Sequence, residues 1–204
     1  MLVPTRKNTK NIMSIPGAIP DHLTEDEINR LTAAYQDWFD SRPTRSRARH
    51  WVIFLLLRYT GARVSEILQL DDTRDIDFRN GEVIINTMKR RAKARRNVPI
   101  PSNVVAEIGR ILATFPDLRG ELTRISRIAV FNCFQKRAEE AGLPKQLRHP
   151  HVLRHTRAIE LLRSGVPVTG VQQILGHTDI STTAIYLQLS GTEIKQIMRD
   201  RGLI

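Results

Sequence analysis

Seven consecutive apolar residues, Trp51-Val52-Ile53-Phe54-Leu55-Leu56-Leu57, constrain this chain more than any other feature. Wound into a helix, such a run is apolar on every side and needs partners all round. It falls far short of the roughly 18 residues that span a bilayer. Its expected place is the centre of a globular core. The chain can build one, because 204 residues at 41% hydrophobic allow one domain plus an arm, at roughly 100–200 residues per domain.

The elements around that run follow from local signals. Thr24-Glu25-Asp26-Glu27 is a capping box, with a hydroxyl and a Glu three residues apart that satisfy each other's backbone donors. It opens a helix whose apolar face is Ile28, Leu31, Ala34, Tyr35 and Trp38. A basic connector, Arg42 to Arg49, leads into the apolar run, which stops at Thr60-Gly61; a short helix Val64–Leu70 follows. The period then changes to that of strands. Ile76-Asp77-Phe78, a tight Asn80-Gly81 turn and Val83-Ile84-Ile85 read as a hairpin, since Asn-Gly accepts the positive φ that such turns need. A second hairpin tip carries Lys89, Arg90, Arg91, Lys93, Arg95 and Arg96 before Val98-Pro99-Ile100. The sum is a three-stranded antiparallel sheet with a very basic loop. Helical spacing resumes over about 102–114, 124–141, 151–164, 168–175, 180–189 and 192–201. The fold class is therefore mainly α with a small three-stranded antiparallel β-sheet.

Charge narrows the partners. Thirty-two Lys and Arg against 21 Asp and Glu leave +11, the electrostatic footprint of a nucleic-acid binder, with an anionic membrane surface as the competitor. Aromatic residues at 5% disfavour single-strand binding through stacked bases. The lone Cys133 excludes an internal disulfide framework or a cysteine zinc finger, and its apolar setting suggests a buried, inert thiol. The N-terminus holds charge but no apolar signal core. A cytoplasmic protein without a membrane partner is expected.

Four of the six histidines fall between positions 149 and 177. His151 and His155 have the i, i+4 spacing of a zinc pair, but Arg154 lies between them and a guanidinium repels a dication; no metal is expected. Phosphodiester chemistry suits the same residues better. Arginine forks bind phosphate oxygens bidentately and stay charged, and a tyrosine can attack phosphorus to store the bond as a phosphotyrosine. Arg63, Arg154, His151, His177 and Tyr186 supply these parts.

Thr60-Gly61-Ala62-Arg63-Val64-Ser65-Glu66, His151-Val152-Leu153-Arg154-His155-Thr156, and Leu175-Gly176-His177 followed nine residues later by Tyr186 resemble the signature boxes of the tyrosine recombinase (phage integrase) family. The stretch Asp179–Ile185 resembles that family's approach to its nucleophile, and the likeness runs over roughly residues 22–190. The resemblance implies the tyrosine recombinase catalytic-domain (DNA breaking–rejoining) fold. It also implies site-specific recombination of double-stranded DNA through a 3′-phosphotyrosyl intermediate, with no metal, nucleotide or other cofactor. On it, Arg63 and Arg154 clamp the scissile phosphate and Tyr186 attacks. Lys89 protonates the leaving 5′-oxygen, His151 exchanges a proton with Tyr186, and His177 hydrogen-bonds a phosphate oxygen. Arg90, Arg91, Lys93, Arg95 and Arg96 are expected to contact DNA, and His155 to support the site from within.

A type IB topoisomerase-like relaxer shares this chemistry, and an inactive DNA-binding regulator shares the fold; both stay open as alternatives. The expected division is a flexible basic arm over 1–20, a catalytic domain over 21–190, and a C-terminal helix over 191–204. Ile194, Ile197 and Met198 in that last helix suit docking on a neighbouring subunit, in keeping with a homo-tetramer on DNA. Many family members carry a DNA-clamping domain ahead of the catalytic one. About twenty residues precede the first helix here, as in a minimal recombinase or a fragment.

Overall fold

The computed structural model describes residues 21–88 and 93–176, with residues 198, 199 and 202. Among these lie eight α-helices and one sheet. Helix α1 (Glu25–Ser41) opens on the expected box: Thr24 Oγ1 accepts from the Glu27 amide while the Glu27 carboxylate accepts from the Thr24 amide. Its buried face is Ile28, Leu31, Tyr35 and Phe39. Trp38, expected on that face, is only half-buried. Its ring is flanked by the Arg47 and Arg137 guanidiniums at 4.9 and 4.7 Å.

Helix α2 (Arg45–Thr60) contains the apolar run, and every residue from Trp51 to Leu57 is buried. It touches α1 together with α5 (Ser102–Thr114), α6 (Arg127–Glu140) and α7 (His151–Arg163). The run is thus the hub that its composition demanded. Each large aliphatic side chain buried there contributes about 1.5–3 kcal/mol. The basic stretch read as a connector is instead mostly the first turns of α2. The Thr44 hydroxyl accepts from the Arg47 amide and starts the helix three residues past Arg42. A cap decided what composition did not.

After α2 the chain turns at Gly61 into α3 (Val64–Ile67), shorter than the expected 64–70, and then into a further short helix, α4 (Asp72–Asp75). The sheet order is β1 (Ile76–Asp77), β2 (Glu82–Met88), β3 (Lys93–Pro99), antiparallel throughout. The first hairpin is closed by residues 78–81 rather than by Asn80-Gly81 alone. The Asp77 carboxylate accepts from the Arg79 and Asn80 amides, which widens the turn. Met88 pairs with Lys93, so Lys93, Arg95 and Arg96 belong to a strand and not to a loop.

Two apolar clusters hold these parts. The larger unites α1, α2, the sheet, α5, α6 and the start of α7. The smaller joins Ala158, Ile159, Leu161 and Leu162 of α7 to Val171 and Leu175 of α8 (Val168–Leu175). Arg58 of α2 grips Glu160 of α7 with both guanidinium nitrogens, at 2.7 and 2.6 Å. The expected helices 180–189 and 192–201 fall mainly or wholly outside the described residues, as does the arm 1–20. Among the described residues, no helix is long and apolar enough to cross a membrane.

Candidate active site

Gly61 sets the geometry. It ends α2 in the left-handed region (φ +62°), and a Cβ there would stand 2.5 Å from Leu175 Cδ2. Only glycine permits both the turn and this approach of α8. The Gly61 carbonyl, left over at the helix end, accepts from Arg154 Nη1 at 2.8 Å. Arg154 is thereby locked: it rises from the first turn of α7 and is 3% exposed.

Two residues beyond Gly61, Arg63 caps α3. Its amide donates to Glu66 Oε2 at 2.8 Å, and its Nη1 lies 3.4 Å from Glu66 Oε1. Its side chain keeps 44% of its surface in solvent. It opens onto a cavity of about 360 Å³ that is also lined by Ser65, Arg127, Phe131, Pro150 and His151. His151 stands at the start of α7, facing both arginines. Loss of hydration lowers its pKa first, and Arg154, His149 and Arg63 lower it further. The shift favours the neutral ring, the form that can take a proton. His155, one turn on, meets His151 edge to face with ring centroids 4.5 Å apart. Among the described residues, no three His, Cys, Asp or Glu side chains converge as metal ligands would.

The structure thus gathers Arg63, Arg154, His151 and His155 at one place. Lys89, Arg90, Arg91, His177 and Tyr186 lie outside the described residues, as does the side chain of Lys93. Arg95 is exposed on β3. Arg96 is not where a DNA contact was expected. It pairs with Ile85 on the core face of the sheet, is 8% exposed, and grips Glu66 through Nη1 at 3.1 Å and Nη2 at 2.9 Å. The signal was present: Val98 and Ile100 are core residues, and a strand's period of two puts Arg96 on their face. Sequence reasoning also missed Arg127 and Phe131 as cavity wall. Cys133 is only part-buried, short of the full burial expected, and burial pushes its pKa up to about 11.

A helical domain that opens Arg63 and His151 onto one cavity, with buried Arg154 beside the histidine, is of a class suited to handling phosphate esters. The comparisons with known proteins specify that class. The model of the phage integrase family matches residues 21–193, and the chain belongs to that family. It is 34% identical over 183 residues to a tyrosine recombinase of Thermosipho africanus, which covers 86% of this chain and 59% of that protein. A crystal structure of XerA recombinase superposes with a TM-score of 0.73 at 28% identity, over 90% of this chain and 65% of that one. The XerH site-specific recombinase bound to its difH substrate gives 0.69 at 21% identity, over 86% and 52%. This chain spans between half and two thirds of the length of these relatives.

Proposed function

We propose that this chain is a site-specific DNA recombinase that cuts and rejoins double-stranded DNA through a 3′-phosphotyrosyl intermediate. The observation that carries the reading is the placement of Arg63 and Arg154 beside His151, with the Arg154 side chain held through Gly61 and the Arg63 backbone through Glu66. Two guanidiniums neutralise the charge on a pentavalent phosphorane without a metal ion, because they stay protonated at any relevant pH.

The step balances as follows. The Tyr186 oxygen attacks phosphorus and its proton passes to His151. The bond from phosphorus to the 5′-oxygen breaks, and the departing alkoxide takes a proton from Lys89. His177 donates to a phosphate oxygen. Rejoining is the reverse, with a 5′-hydroxyl as the attacking group, and it needs no nucleotide. Of the chain's three tyrosines, Tyr35 is buried with its pKa raised by desolvation, and Tyr59 lies under the Arg58 guanidinium. Both facts favour Tyr186 as the nucleophile.

Arg90, Arg91, Lys93 and exposed Arg95 are suited to phosphate contacts, with the basic arm 1–20 as a further contact. The helix 191–204 would dock on a neighbouring subunit, with four copies assembled on two DNA sites. The Tn1549 transposon integrase is described in complex with transposon right end DNA, which supports DNA as the partner. The test is a nicked suicide duplex made from the DNA flanking this chain's gene, incubated in excess EDTA. A covalent protein–DNA band on a denaturing gel is the expected result. Adduct that forms only when Mg²⁺ or Zn²⁺ is added back would overturn the metal-free mechanism.

A further inference from the structure

Glu66 is a carboxylate 6% exposed, within reach of two arginines of opposite character. Arg96 is buried and reaches both of its oxygens, while Arg63 is half in solvent and reaches one of them only weakly. Arg96 is anchored besides: its Nε donates to the Ile174 carbonyl at 2.9 Å. Its guanidinium also lies against Gly176, where a Cβ would come within 2.7 Å of Nη1 at φ +71°. A buried carboxylate needs a cation. Were Arg96 absent, Arg63 would be a substitute already at hand, hydrogen-bonded to Glu66 through its own amide.

We propose that Arg96 is a positioning residue that neutralises Glu66 and so keeps the Arg63 guanidinium free to bind phosphate. Glu66 then holds Arg63 chiefly by its backbone amide, and its contact with the Arg63 side chain stays long at 3.4 Å. Arg96 also couples this arrangement to the end of α8, the helix that leads into His177. The proposal rests on the reading of Arg63 as a phosphate clamp.

Two measurements on the full chain test it. The first needs no DNA and follows the Arg63 Nε–H resonance, assigned by its loss in Arg63→Lys. Its hydrogen exchange should be fast in the parent, become at least about tenfold slower in Arg96→Met as Glu66 captures the side chain, and be fast again in Arg96→Met/Glu66→Gln. The second is the rate of covalent adduct formation at saturating suicide duplex. Arg96→Met should lose about 10²–10³-fold, as when a transition-state donor is removed, and the double variant should recover to within about tenfold of the parent. The glutamine keeps an oxygen for the Arg63 amide but has no charge with which to compete.

A structural role alone predicts that both variants stay slow and that Arg63 exchange does not change; that pattern overturns the proposal. So does a parent-like rate in Arg96→Met. If the parent cuts no duplex, the recombinase reading fails by itself and the exchange measurement still decides the inference. If Arg96→Met does not fold, Arg96→Gln withdraws the charge while keeping a donor for Ile174, and it is read by the same two measurements.

Discussion

Arg154 and Arg63 face one histidine from different kinds of footing. Arg154 is sealed into α7 and donates to the Gly61 carbonyl, whereas Arg63 stands at a helix cap with nearly half its side chain in solvent. The first is part of the fold's interior and comes preset. The second is held by its backbone and left adjustable, as a group that must close on a substrate can be. A site built this way separates stability from chemistry residue by residue.

That separation is open to a direct challenge. Arg63→Ala should slow adduct formation by about 10²–10³-fold yet change the urea-unfolding free energy by no more than about 1 kcal/mol, because Arg63 is half in solvent and Glu66 keeps Arg96 as its partner. Arg154→Ala should slow the reaction at least as much and in addition destabilise by about 2 kcal/mol or more, through a cavity and an orphaned carbonyl. Equal losses of stability in the two variants would erase the distinction.

Gly61→Ala attacks the joint between them. Left-handed strain and the contact with Leu175 should together cost about 2–4 kcal/mol, with adduct formation falling because Arg154 loses its acceptor's position. Unfolding that matches the parent would show that α8 can retreat from the turn, which would remove the role given to Gly61.

A smaller effect concerns His151. Its pKa is lowered in the folded protein, so the neutral base persists on acidification until pH drops below the ordinary histidine value of about 6.5. The acid limb of kcat/KM should therefore lie below that value and vanish in His151→Ala. The same shift contributes stability that is complete above about pH 6.5 and is lost as pH falls through the folded pKa. An acid limb above 6.5 would mean that His151 is solvated or paired with an anion.

The smallest effect separates the two faces of β3. Arg95→Ala should leave folding untouched and reduce the log–log salt slope of DNA binding by about 0.9, the share of one phosphate. No change in slope would place Arg95 off the DNA.

Most of this arrangement was readable in the chain. Helix α8 spans the 168–175 that its apolar spacing indicates, and Arg63, Arg154 and His151 meet as their boxes imply. The basic stretches were where reading failed. Arg45, Arg47 and Arg49 look like a linker by composition, but one hydroxyl on Thr44 makes them a helix start. Arg96 reads as one more surface cation because charge counts ignore which way a strand's side chains point. Its partner Glu66 is thirty residues away, a separation over which no local pattern operates. Short-range signals fixed the elements, and long-range pairing of charges went unseen.

The central claim is that Tyr186 forms the bond to DNA. Trapping the adduct in EDTA, digesting both components and sequencing the modified peptide by mass spectrometry tests it most directly. The account predicts a nucleotide phosphate on Tyr186 and no adduct in Tyr186→Phe. A phosphate carried by Tyr59 or by a serine, or an adduct of normal yield from the phenylalanine variant, would contradict it.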